Sequence, residues 1–219
     1  MARIAIIGGH GKVALHLERL LADAGHETTA LIRNLGHADD VRAAGGTPVV
    51  ADVEQLDVAE LAGLLRGHDA VVWSAGAGGG DPDRTYAVDR DAAIVSMDAA
   101  QQAGVRRYVM VSYFGAGPEH GVPEDNSFFP YAEAKAAADA HLRTTGLDWT
   151  ILGPGALTTD PATGSIDTGV AAAGGRVSRA DVAAVVAAVL DRPATVHRTI
   201  EFNNGRTPIG DALDRAENS

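Results

Sequence analysis

The chain has 219 residues, 46% of them hydrophobic and 21% charged, with a net charge of −11 and no cysteine. That length suits one α/β domain with a sizeable core. The acidity speaks against a nucleic-acid or anionic-membrane partner, which would need a basic face, and leaves room only for a local basic pocket; the missing cysteines exclude disulfides, thiolate metal sites and a cysteine nucleophile.

Strands and helices alternate along the chain. Strands are expected at Arg3–Ile7, Glu27–Ile32, 47–51, Ala70–Trp73, 108–111, 149–152 and 199–202, from short β-branched or apolar runs. Helices are expected at 13–24, 38–44, Val58–Leu65, 85–103, 130–143, Arg179–Leu190 and Ile209–Ala216, several of them closed by glycine. Pro130 suits the first turn of its helix. This order predicts a three-layer α/β Rossmann fold, with a mostly parallel, doubly wound sheet of about seven strands. No repeat or linker marks a second domain, so residues 1–219 are read as one unit. Two irregular stretches, 113–130 and 153–178, follow late strands. They are the expected substrate walls, because ligands of open α/β sheets sit beyond the strand C-termini. The leading MARIAIIGGHGK is too short an apolar run for a signal segment, and no stretch reaches the roughly 18 residues a membrane span needs. A cytoplasmic protein with no membrane partner is expected. Oligomeric state is not legible.

Gly8-Gly9-His10-Gly11-Lys12-Val13-Ala14 links the first strand to the first helix. Its G-x-x-G-x-x-A spacing allows a tight turn, close approach of a pyrophosphate to backbone N–H groups, and close helix–strand packing. The helix N-terminus adds partial positive charge. A dinucleotide is therefore expected on Gly8, His10, Gly11, Lys12 and Val13. NAD-binding proteins usually end the second strand with an acid that holds the ribose 2′-OH. Here the strand runs into Arg33 instead, which suits a 2′-phosphate, so NADP(H) is favoured over NAD(H). Asp52-Val53 ends the third strand where adenine should lie, and Asp52 serves equally well as a turn residue. Ser74, Ala75 and Gly76 let the cofactor pass close to the backbone, and the glycines up to Gly80 form a flexible loop.

Tyr131 and Lys135 stand four residues apart at a helix start and share one face. An ammonium there is expected to lower the phenol pKa, so that tyrosine trades a proton with a carbonyl or alcohol. Lys12 and Lys135 are the only lysines among 18 basic residues. That retention of lysine suggests a need for a compact ammonium. Ser112, at the end of the fifth strand, completes a candidate triad, with Tyr113 as a weaker proton donor.

These residues resemble the short-chain dehydrogenase/reductase superfamily in its atypical branch, the NAD(P)-binding proteins often labelled NAD-dependent epimerase/dehydratase-like. The likeness is carried by residues 6–14, 111–113, 131–135, 147–157 and 177–183. It implies Ser112, Tyr131 and Lys135 as the catalytic set. It also implies that Pro154, Gly155, Ala156 and Leu157 line the nicotinamide side. Relatives usually read Arg-Pro-Gly after the sixth strand, whereas here Gly153 replaces the arginine.

The eight histidines show no metal-ligand spacing, so no metal is expected. His120 is expected in a solvated loop and Asp89 on an exposed helix face. Trp73 and Trp149 are expected in the core. Phe128 and Phe129 either wall a substrate or staple the Tyr131 helix. The expected function is an NADPH-dependent oxidoreductase reducing a small carbonyl substrate. The alternatives are an NAD(P)-dependent epimerase/dehydratase and a non-catalytic NADP(H)-sensing regulatory protein.

Overall fold

The computed structural model describes residues 1–78, 80–172 and 174–216. Gly79, in the expected flexible loop, and Ala173, in the second irregular stretch, lie outside the described residues, as do residues 217–219. The chain runs β1 (Arg3–Ile7), α1 (Lys12–Asp23), β2 (Glu27–Ile32), α2 (Ala38–Ala43), β3 (Thr47–Val50), α3 (Val58–Leu65), β4 (Ala70–Trp73) and α4 (Pro82–Thr85). A π-helical segment, Tyr86–Ala92, leads into α5 (Ala93–Ala103). Then follow β5 (Arg107–Val111), α6 (Phe129–Thr144), β6 (Asp148–Pro154), β7 (Ala156–Thr158), β8 (Ser165–Thr168), β9 (Arg176–Ser178), α7 (Arg179–Leu190), β10 (Arg198–Asn204), β11 (Thr207–Pro208) and α8 (Ile209–Ala216).

All seven expected strands form, in the parallel order β10-β6-β5-β4-β1-β2-β3. The short β8 and β11 add an antiparallel edge that brings the sheet to nine strands, and β7 pairs with β9 separately. These extra strands are two to four residues long and carry polar residues, so they form no apolar run.

Period-two alternation assigns each strand residue to a face. Ala5, Ile7, Val71, Trp73, Tyr108, Met110, Trp149 and Ile151 pack with α3, α5 and α6. Ile4, Ile6, Val72, Val109, Leu152 and Phe202 pack with α1, α7 and α8. Both faces are covered, which is why these parallel strands read as continuous apolar runs. No helix among the described residues is long and apolar enough to cross a membrane. After β1 the chain winds outward through β2 and β3, then returns to β4 on the other side. The reversal opens a crevice beyond the C-terminal ends of β1 and β4.

Candidate cofactor groove and active site

The crevice is shaped by glycines. Gly8 turns the chain at φ +83°, and a Cβ there would lie 2.5 Å from Ala75 Cα. At Gly9 a Cβ would collide with that of Ala30. The Gly8 and Gly9 N–H groups donate to Leu31 O at 3.2 and 3.0 Å, and Gly11 N–H donates to Gly8 O at 2.8 Å. Helix α1 then starts with no side-chain cap and no acid in its first turn. Its unshared N–H groups and dipole suit an anion such as a pyrophosphate, so the loop fits a dinucleotide.

A groove of about 730 Å³ crosses the ends of β1 to β4. Nine of the expected residues line it: Gly8, His10, Gly11, Arg33, Asp52, Val53, Ser74, Ala75 and Gly76. Arg33 pairs with Glu54 Oε1 at 3.0 Å, and Arg84 reaches the same oxygen at 3.3 Å. His10 stacks on His37 with centroids 3.6 Å apart, and its Nε2 meets Asp40 Oδ2 at 2.8 Å. Asp52 closes a turn by accepting Glu54 N–H at 3.2 Å while also lining the groove. Glu54, Arg84 and His37 were not legible as groove residues, because only the fold carries them to β2 and β4.

Other expected residues lie elsewhere. Val13 is buried in the core between α1 and α7. Lys12 is exposed and borders a small cleft with Arg19, Asp160 and Arg179. Pro154, Gly155, Ala156 and Leu157 line neither this groove nor the cavity described next. Gly155 N–H donates to Phe202 O at 3.2 Å, and Leu157 O accepts from Arg179 at 3.3 Å. Gly153 gives its neighbours room. A Cβ there would come 3.0 Å from Tyr113 O and 3.1 Å from Glu201 Cγ. Glu201 uses that room to accept Gly115 N–H at 2.7 Å, which ties β10 to the loop after β5.

A second cavity, of about 940 Å³, shares Gly76 with the groove. Its walls are Gly76, Gly78 and Gly80 after β4, the start of α4, and residues 124–128, 130 and 131. Tyr131 lines it beside the exposed Phe128, their rings 5.2 Å apart, with Tyr113 5.6 Å from Tyr131. Phe129 faces away and packs edge-on against His120. Phe128 thus borders the cavity, whereas Phe129 packs on the loop before α6.

Lys135 lies one turn beyond Tyr131 and is 1% exposed. Its Nζ donates to Val111 O at 3.0 Å and approaches Met110 Sδ at 3.1 Å. Ser112 Oγ donates to Asp139 Oδ2 at 2.6 Å, and Asp139 Oδ1 is buried with no partner. Among the described residues no hydrogen bond joins Tyr131 to Ser112 or Lys135. The expected lowering of the phenol pKa is reversed: burial pushes Tyr131 up, and the Asp89 and Asp139 carboxylates push it further. Burial also lowers Lys135, against the pull of the same two acids, and raises Asp139.

Asp89 and His120 correct the sequence reading. Asp89 is 1% exposed, and its Oδ2 accepts Ala77 N–H at 3.0 Å beside Gly76. The π segment widens the turn that carries it, a shift that helical periodicity does not reveal. His120 is no solvated residue. Its side chain is buried, with Nε2 2.8 Å from Glu133, and its Nδ1 accepts Val122 N–H at 3.0 Å, so it pins the loop before α6.

The NAD(P)H-binding family model matches residues 8–193. A Bacillus subtilis protein described as an uncharacterised sugar epimerase is 35% identical, over 97% of this chain and 99% of its own. A candidate NAD-dependent epimerase/dehydratase from Bacillus halodurans superposes with a TM-score of 0.90 at 32% identity, covering 98% of this chain and 100% of that one. An oxidoreductase from Lactococcus lactis gives a TM-score of 0.85 at 30% identity, covering 97% and 95%. With the glycine loop, the sheet order and the Tyr131 helix in place, the chain belongs to the NAD(P)H-binding family, in the atypical short-chain dehydrogenase/reductase group.

Proposed function

We propose that the protein is an NADPH-dependent oxidoreductase that reduces a small carbonyl compound. The observation that carries this reading is that the two cavities meet on Gly76, which lines both, with Tyr131 on the wall of the second. The α1 N-terminus and the glycine backbone hold the pyrophosphate. Arg33 takes the 2′-phosphate, since no acid ends β2 to claim a 2′-OH. NADPH, when bound, supplies the hydride.

The protein's own groups manage the oxygen. Tyr131, with its raised pKa, stays protonated through neutral pH and donates to the substrate oxygen. Ser112 cannot donate to substrate while its O–H is given to Asp139. A protonated Asp139, favoured by burial, donates to Ser112 instead and frees the serine O–H. Lys135, one turn along the same helix, opposes the charge of Asp89, and that of Asp139 when it is ionised. Tyr131→Phe removes only the hydroxyl. It is expected to lower turnover across a carbonyl panel by about 10²-fold or more with NADPH affinity kept, and unchanged turnover would refute the role of Tyr131.

The description of the Bacillus subtilis relative favours a second reading, epimerisation through transient oxidation. Its signature is a bound cofactor with no net consumption during turnover.

A further inference from the structure

We infer that the cavity beside Gly76 takes an apolar carbonyl compound that is uncharged or carries an ammonium group, and turns acids away. This rests on reading the cavity as the substrate side of the site. At about 940 Å³ it has room for a ligand much larger than a simple aldehyde. Phe128 presents a ring that is 42% exposed, next to Tyr131. Aromatic faces suit apolar bodies and attract cations. The Tyr131 hydroxyl has no hydrogen-bond partner among the described residues and is available to a carbonyl oxygen.

The charges are divided between the two cavities. Asp81, Glu124 and Asp125 border this one, and no lysine, arginine or histidine does so among the described residues. Asp81 spends Oδ1 on the Asp83 and Arg84 N–H groups but keeps its charge. Glu124 and Asp125 have no ion-pair partner among the described residues. Arg84, the nearest cation in sequence, turns into the other groove, where it bonds Ala77 O at 2.6 Å and Glu54 at 3.3 Å. Lys135 is buried, with its Nζ on Val111 O. The groove that would receive cofactor phosphates holds Arg33 and Arg84 beside Asp52 and Glu54, whereas the substrate side offers an anion three carboxylates and no counter-charge. A nucleoside-diphosphate sugar would have to place its diphosphate against them.

The test uses three benzaldehydes of similar shape with a para trimethylammonium, tert-butyl or carboxylate group. Binding to the NADPH-loaded protein is followed by saturation-transfer NMR, and turnover by NADPH absorbance. At low salt the carboxylate should bind at least about fivefold more weakly than the tert-butyl compound, with the gap closing near 0.5 M salt. The triple variant Asp81→Asn, Glu124→Gln, Asp125→Asn keeps shape and helix cap. It should bind all three alike, with tert-butyl affinity unchanged. Equal or tighter binding of the carboxylate by the wild type, discrimination that survives in the variant, or no binding of any aldehyde overturns the inference. Binding in the expected order with no turnover of any compound sinks the reductase reading but leaves the charge selectivity standing. Turnover that favours the acid does the reverse.

Discussion

Arg33 shows what a single residue decides. It follows β2, is half exposed, and pairs with a Glu54 that is largely buried. An ion pair this exposed is worth at most about 1 kcal/mol, so a 2′-phosphate can displace Glu54 with little loss. Arg33→Ala should weaken NADPH by about 10–100-fold and leave NADH nearly unchanged, because a charge-assisted contact to phosphate is worth about 1.5–3 kcal/mol. Fluorescence titration of both nucleotides checks this, and an equal loss for both would point to a structural role. Arg33 was legible because its place after β2 is fixed by sequence alone. Asp89 and Asp139 were not. Their sequence neighbourhoods are those of exposed helix residues, and only packing against Gly76 and Ser112 buries them.

At the scale of elements, local chemistry sets the glycine turn and tertiary contact sets the loop after β6. Gly153 stands where relatives usually carry arginine, and the reason lies in β10, which passes close enough for Glu201 to clamp Gly115. Gly153→Arg is expected to cost about 1–3 kcal/mol, because its Cβ would crowd the Tyr113 carbonyl and Glu201. Urea denaturation measures the loss. A variant as stable as the wild type would mean that the loop repacks freely. The π segment at Tyr86–Ala92 belongs to the same class of feature. A long helix ending at Gly104 was readable there, but its wider turn was not.

At the scale of the whole molecule, two helical layers cover the sheet, and the layer containing α1 encloses an isolated acid. Glu18 is fully buried, and both its carboxyl oxygens lack a partner. Burial raises its pKa from 4.5 to about 8. The folded state therefore holds a proton that the unfolded chain gives up near pH 4.5. The stabilisation this gives is complete below that value and is lost as pH rises through about 8. Glu18→Gln removes the titration. Its melting temperature relative to wild type should rise by at least about 3 °C between pH 5 and pH 9. A constant difference across that range would show that Glu18 is ionised in the folded protein.

The sequence alone determined the elements that rest on local pattern. These are the seven strands, the helices between them, the glycine turn and the placement of Arg33, since periodicity and the spacing of small residues act within a few positions of the chain. It also placed Tyr131 and Lys135 on one helix. What surrounds that pair was decided by tertiary structure. The phenol pKa moves opposite to expectation because tertiary packing buries it and because Asp89 and Asp139 come close from other turns. The groove was legible in the glycine loop, and the fold joined it to a second, acid-rimmed cavity by bringing residues 124–131 against the loop after β4.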